Sequence, residues 1–365
     1  MPKLTFYPLG NADTALITLD RKFLLVDYAN MRDPGNRDDK RIDLPPALKE
    51  DIGWPDRNRI EVVGFTHLDN DHTKGAGEFF WLDHAEAYQS KDRVKIDELW
   101  VPAAAIVEEG AEDDARVIRQ EARHRLRKGY GIRVFSRPAH LKEWLEGEGL
   151  TLDSRLHLIT DAGQIAPGFS KDADGVEIFI HSPFAERDGD VVLDRNEHSL
   201  VIQATFKAGD TRLLMAADTV ADNWEWIVKI TRRKGNESRL GWDIYKLPHH
   251  CSYLSLGEDK GKIETPTSAN ISWLLEQAGS RAMVISTSEP IDNEDSDQPP
   301  HFQAKNTYLR ALRPGTGKFL TTMEHPNRSY PKRLIIEIGG AGGRVITTSV
   351  VGGGGLVSMP APRVG

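Results

Sequence analysis

The sequence predicts an α/β fold in which helices flank layered sheets, and three observations carry that reading. Short apolar runs recur along the chain, each bounded by turn residues, as buried strands require. Between several of them lie stretches whose apolar residues follow helical spacing. The 365 residues are 39% hydrophobic and 28% charged, which is a globular composition and enough chain for one large two-sheet domain with insertions.

Taken in order, Leu4 to Tyr7 reads as a strand, followed by a turn at Gly10-Asn11-Ala12-Asp13 and strands at Ala15 to Leu19 and Lys22 to Asp27. A polar loop follows from Asn30 to Arg41, then a short helix over Pro45 to Asp51 and a core strand from Ile60 to Thr66. Glu78 to His84 is expected to be helical, and Glu98 to Val101 extended. The clearest helix is Glu112 to Lys128, with Val117, Ile118, Ala122 and Leu126 on one face and Glu121 four residues before Arg125. Gly129 ends it. Further strands are expected at 176–181, 199–206, 211–216, 244–247, 282–286, 317–321, 333–338 and 344–350, with a helix over Ala269 to Gln277. No internal repeat is present, and residues 351–365 read as a flexible Gly-rich tail.

The formal net charge of −8 argues against a long-range pull on nucleic acid, so any polyanion must be met by local positive charge. A single cysteine, Cys251, excludes an intramolecular disulfide and fits a reducing compartment. The chain does not open on a basic segment with an apolar run and cleavage site, and no stretch suits a membrane helix. A soluble, cytoplasmic protein without membrane association is expected.

The chemistry concentrates at the end of the strand closing on Thr66. His67, Asp69, Asp71 and His72 place four candidate ligands within six residues, where a chain leaving a sheet lets side chains converge. Imidazole and carboxylate together suit a divalent first-row metal such as zinc or manganese.

The run Thr66-His-Leu-Asp-Asn-Asp-His-Thr-Lys-Gly75 resembles the signature of the metallo-β-lactamase superfamily, in the variant whose second histidine is aspartate. That variant is typical of the soluble hydrolase domain of ComEC-type DNA-uptake proteins and their free-standing relatives. Other segments are similar in order: Leu4 to Asp13, Leu25-Val-Asp27, Asn196 to Ile202, Leu213 to Asp218, Lys246-Leu-Pro-His-His-Cys-Ser252, and Val284 to Ser286 followed by Pro300-His301. The resemblance implies an αββα four-layer sandwich over residues 1–350, with an inserted region at about 105–165. The charge-rich stretch Val107 to Leu152 within it reads as a cap. Cys251 stands where the family has glycine, so either the loop backbone differs or a thiol faces the site; a small buried residue is the plainer reading. No channel helices are present, so DNA transport does not carry over.

By the same resemblance, two divalent ions, zinc or manganese, are implied. His67 and Asp69 would bind one, Asp71 and His72 the other, and Asp218 would bridge them. His198, a strand pair ahead of Asp218, suits a further ligand. One of His249 and His250 completes the second site; His250 is favoured as ligand, and His249 as a group acting on substrate or standing behind the ligands. Asp27, Ser252 and His301 are expected behind the ligands, Asp27 by accepting a ligand histidine's other N–H. Two such ions lower the pKa of a shared water toward neutrality, with Asp71 placed to hold or accept its proton.

The expected activity is phosphodiester hydrolysis of DNA, RNA or a nucleotide. Arg123, Arg125, Arg127 and Lys128, or Arg232, Arg233 and Lys234, offer local positive charge, although solvated helix faces are an equal reading of them. The alternatives are hydrolysis of a lactone, thioester or β-lactam, which Asp69 speaks against, and a partner-binding module on a degenerate site. The inserted region could also dock a protein partner.

Overall fold

The computed structural model describes residues 1–184, 199–312 and 314–346. Its strands are β1 (Lys3–Phe6), β2 (Ala15–Thr18), β3 (Phe23–Val26), β4 (Arg59–Gly64), β5 (Phe80–Trp81), β6 (Val94–Pro102), β7 (Ile132–Phe135) and β8 (Ile159–Thr160). They continue with β9 (Val176–Ser182), β10 (Val201–Phe206), β11 (Arg212–Met215), β12 (Trp242–Lys246), β13 (Ala278–Ser286), β14 (Lys318–Thr321), β15 (Leu334–Gly339) and β16 (Gly342–Val345). The helices are α1 (Leu44–Ile52), α2 (Asn70–Thr73), α3 (Ala76–Phe79), α4 (Ala103–Val107), α5 (Asp113–Lys128), α6 (Ala139–Gly147), α7 (Ala221–Arg233), α8 (Ala269–Glu276) and α9 (Phe302–Leu312).

Among the described residues these strands form two sheets. The first runs β16-β15-β1-β2-β3-β4-β6-β7-β8 with β5 beside β6, and the second runs β14-β13-β12-β11-β10-β9. Each sheet has an antiparallel part and a parallel part, the change falling at β3–β4 in the first and at β11–β12 in the second.

Successive residues of a strand point to opposite faces, and the strands here are buried on both. Ile17, Leu24 and Val62 of the first sheet meet Ile202, Leu213, Ile244 and Ile285 of the second in a core between the sheets. Their neighbours Leu16, Leu25 and Val63 face outward onto Leu48 of α1, Ile118 of α5 and Leu141 of α6. On the far side, Leu214, Tyr245 and Val284 lie under Trp224 of α7, Leu274 of α8 and Tyr308 of α9. The layers are therefore helix, sheet, sheet, helix, the α/β sandwich expected from the sequence. Double burial explains why the strands read as apolar runs rather than alternations.

Helix α5 starts with Asp113 and Asp114 and ends with Arg125, Arg127 and Lys128, charges that suit the helix dipole at each end. Gly129 (φ 84°) caps it by donating to the Arg125 carbonyl. The 107–152 stretch is no separate cap. β7 pairs with β6 and β8 with β7, both in parallel, so the segment extends the first sheet while α5 and α6 cover its outer face. The expected helix over 78–84 is also corrected: α3 ends at Phe79, and Phe80–Trp81 pairs with Val94 and Lys95 instead. Phe80 is fixed there edge-on against Tyr28 and Phe65. Helices α6, α7 and α9 and strand β7 are additions to what the sequence reading picks out. The tail 351–365 and the end of the last expected strand lie outside the described residues.

Candidate metal centre

The parallel strand β4 ends at Gly64, and the chain then passes through Phe65, Thr66 and His67 into the single turn of α2. Asp69 sits at the start of that turn in extended conformation, and His72 donates its N–H to the Asp69 carbonyl. His67 therefore projects from the strand end while Asp71 and His72 project from the helical turn. Asp218 follows β11, and the paired histidines follow β12, both on the second sheet. The site is a seam where strand ends of the two sheets meet.

Four side chains from this seam, Asp71, His72, Asp218 and His250, offer ligand atoms that all lie within 4.8 Å of one another. Nε2 of His72 is 3.3 Å from Asp218 Oδ1, and Nε2 of His67 is 3.9 Å from Asp218 Oδ2. One carboxylate thus faces both motif histidines, each through a different oxygen. Asp69 Oδ2 stands 3.5 Å from His67 Nε2, and Asp71 Oδ2 stands 2.9 Å from His250 Nε2. The geometry groups His67 and Asp69 on one side of Asp218, and Asp71, His72 and His250 on the other.

The outer nitrogens of two of these histidines are tethered. Asp27, at a positive φ of 59° after β3, accepts from the Thr66 N–H at 2.7 Å and the Thr66 hydroxyl at 2.8 Å. Its Oδ2 is also 2.8 Å from His72 Nδ1, which fixes the proton on Nδ1 and turns the Nε2 lone pair to the seam. His250 Nδ1 donates to the Thr287 carbonyl at 2.8 Å with the same effect. What remains is informative: His67 Nε2, His72 Nε2 and Asp218 Oδ1 are buried and have no hydrogen-bond partner. Such atoms are costly unless something else satisfies them. A divalent cation is the partner that this mixture of imidazole nitrogens and carboxylate oxygens fits.

Electrostatics agree. Burial opposes ionisation of Asp218, but His72, His250 and His67 outweigh it and hold its carboxyl well below the usual range. Asp71 is likewise lowered to about 2, with burial opposed by His72 and by the hydrogen bond from His250. Burial would push His72 down, yet Asp27, Asp218 and Asp71 hold it well above its ordinary value. The chain on its own has an excess of carboxylate here.

His249 stands apart from its neighbour. It is partly exposed, its Nε2 lies 3.9 Å from Asp218 Oδ2, and burial lowers its pKa. The loop that separates the two histidines is unusual, since His249, His250 and Cys251 all have positive φ, at 47°, 51° and 67°. Non-glycine residues there cost about 1 kcal/mol or more each, and such strain collects at functional sites. The Cys251 backbone thus adopts the conformation that glycine would favour. Its thiol is buried in the core under the second sheet, and burial pushes its pKa up, so it does not face the site. Ser252 and His301 brace this loop rather than the ligands. The Ser252 hydroxyl accepts from the Leu254 N–H, and His301 Nδ1 accepts from the Tyr253 N–H at 3.3 Å. His198 lies outside the described residues.

Two side chains given no role by sequence join the seam from below. Asp13 Oδ2 is 3.9 Å from His72 Nε2 and forms a buried ion pair with Lys246. The Gly-x-x-Asp turn was the only local sign of it. The basic residues offered as a phosphate track are largely engaged within the chain. Arg125 is buried on Glu121, Arg123 donates to the Ile106 carbonyl, Arg127 pairs with Glu148, and Arg232 stacks on Trp273.

No family model matches the chain, and no match was found among curated proteins. Solved structures of distant similarity exist. Unliganded yeast PDE1 gives a TM-score of 0.43 at 10% identity, covering 88% of this chain and 97% of that one. The metallo-β-lactamase fold protein YhfI from Bacillus subtilis gives 0.40 at 11%, covering 92% and 100%. Igni18, a metallo hydrolase from Ignicoccus hospitalis, gives 0.37 at 11%, covering 92% and 98%. Among the described residues no helix is long and apolar enough to cross a membrane.

Proposed function

We propose that the chain is a hydrolase that works with two divalent cations, zinc or manganese, and that it cleaves phosphodiesters. One observation carries the reading: buried, partnerless ligand atoms on His67, His72 and Asp218 converge where Asp69, Asp71 and His250 also point. His67, Asp69 and Asp218 would hold one ion, with His198 as a further ligand. Asp71, His72, His250 and Asp218 would hold the other. Bound there, the pair supplies hydroxide near neutral pH and offsets charge developing on the substrate.

The chain's own side chains define the rest. Asp27 and Thr287 fix which nitrogen of His72 and His250 carries the proton. Asp71, whose carboxylate reaches the seam beside His250, would hold or accept the attacking water's proton. His249, partly exposed beside Asp218, is placed to donate to a substrate oxygen or leaving group. Support for a phosphodiester over a carboxylic ester comes from the donor set. Three carboxylates make a hard site, which suits cations that engage phosphoryl oxygens. A nucleic acid or nucleotide is the substrate class, and it must approach without Arg123 and Arg125 of α5, which are engaged in the fold.

The test is turnover by metal-stripped protein resupplied with zinc or manganese. The substrates are bis-p-nitrophenyl phosphate, single- and double-stranded DNA, RNA and a lactone. Cleavage of phosphodiesters that vanishes in Asp71→Ala is the expected result. Turnover of the lactone alone would overturn the substrate class. Protein that takes up no metal would overturn the hydrolase reading and leave a partner-binding module.

A further inference from the structure

Beneath the seam lies a polar network that spans both sheets. Asp13, in the turn between β1 and β2, forms its ion pair with Lys246, the last residue of β12, across 233 positions of sequence. Both side chains are about 95% buried, with relative exposures of 5% and 4%. The other oxygen of Asp13 accepts from the Thr287 hydroxyl at 2.5 Å. Lys246 also donates to the Ala216 carbonyl at 3.1 Å, two residues before Asp218. Thr287 in turn receives the His250 Nδ1 proton on its carbonyl, and the Asp13 N–H donates to the carbonyl of Asp71 at 3.0 Å. The network therefore reaches three ligand positions: Asp71 through main chain, His250 through Thr287, and Asp218 through Ala216. Its ties among the described residues fall on the Asp71 and His250 side of Asp218.

We infer that Asp13, Lys246 and Thr287 are positioning residues for one of the two cations, the one on the Asp71, His72 and His250 side, and that they set its affinity separately from the other's. This rests on the two-ion reading above. The distribution of the ties is the argument. Asp71 comes from the first sheet and Asp218 and His250 from the second, so their mutual distances depend on how the sheets register at this end. Asp13–Lys246 is a direct charged link between the sheets at that level. His67 and Asp69 belong to one short segment, and the second-sheet carboxylate they share, Asp218, is tied to the network only through the main chain at Ala216.

Net stability is a weaker account of the same pair. Buried ion pairs contribute little relative to an uncharged replacement of similar size, because desolvation offsets the attraction. A pair kept only for stability would be dispensable, while one kept for register would not. That difference can be measured. A small cavity lined by Asp13, Thr14, Asp27, Thr66, Lys246, Thr287 and apolar side chains adjoins the pair, so an uncharged replacement is not crowded.

The experiment titrates the metal-stripped full chain with manganese and with zinc, reading stoichiometry and both dissociation constants by calorimetry and by elemental analysis after desalting. Thermal unfolding is read in parallel. The variants are Asp13→Asn, Lys246→Met, the double Asp13→Asn/Lys246→Met, and Thr287→Val. The expected result is two ions in the unaltered chain. In the single and double variants one ion keeps its affinity, and the other weakens by about 10–100-fold, as when a group behind a ligand is removed. The double variant should unfold near the temperature of the unaltered chain. Thr287→Val removes one hydroxyl and keeps the carbonyl; it should weaken the same ion by less, and it serves if the charge variants fail to fold. Unchanged affinities, or equal loss of both ions, would overturn the inference. An unaltered chain that binds no metal would instead overturn the two-ion reading on which it stands.

Discussion

Two buried clusters of histidine and carboxylate in this molecule look alike by composition and differ in what they leave over. Behind α5, Glu121 accepts from Arg125 Nε at 2.6 Å and from the N–H and Nδ1 of His84, both at 2.9 Å. Arg125 spends its remaining donors on the carbonyls of Gly131 and Ile96. That cluster is complete within the chain. At the seam, His67, His72 and Asp218 hold buried atoms with no partner. Burial of charge marks neither a site nor its absence; unsatisfied valence distinguishes the two.

The comparison can be broken in order of effect. Asp218→Asn should lower phosphodiester turnover by about a thousandfold or more and release metal, because it removes the carboxylate facing both histidines. Elemental analysis beside the turnover assay checks it; full metal content in this variant would contradict the bridging role. Glu121→Gln should act on the other quantity, costing on the order of 3 kcal/mol of stability with Arg125 left buried and charged, while folded protein keeps its turnover.

Its pH dependence sharpens the contrast. Burial opposes ionisation of Glu121, but His84 and Arg125 lower its carboxyl from the usual 4.5 to about 2. A carboxylate lowered by folding contributes stability fully above its unfolded value and loses it as pH falls through the folded one. The gap between Glu121→Gln and the unaltered chain should therefore narrow between pH 4.5 and about 2 in denaturant titrations. Asp27→Asn should weaken metal binding by about 10–100-fold by removing the acceptor of the His72 Nδ1 proton, with little loss of fold. The smallest effect is Cys251→Ala. With the thiol facing the core, turnover should stay within roughly twofold and both ions should remain, at a stability cost near 1 kcal/mol.

Legibility in the sequence followed the range of the interactions. The motif from His67 to His72 is local, and its strand-then-turn setting was readable because an apolar run precedes it. The same holds for α5, whose apolar face, acidic start and glycine stop all lie within one segment. Helix α7 has Trp224, Ile227, Val228 and Thr231 buried at helical spacing, a signal available in the sequence, though diluted by flanking charges. Phe80–Trp81 could not be placed by local pattern, since its strand character comes from pairing with β6. The roles of Asp13 and Lys246 were illegible for the same reason at longer range. A buried lysine in a strand looks like an exposed one until its partner, 233 positions away, is located.

The pairing of β15 with β1 has a consequence in time. Residues Leu334–Gly339 lie antiparallel along Lys3–Phe6, so β1 waits until β15 is made to gain its second neighbour. At ordinary synthesis rates of about 5–20 residues per second, that wait is on the order of 20–60 s. Throughout it, β1 presents an open edge carrying Leu4 and Phe6, the kind of strand that invites pairing with other chains. The hairpin of β15 and β16 is thus the closure of the first sheet, and nascent chains stalled before residue 334 should be the ones that aggregate or occupy chaperones.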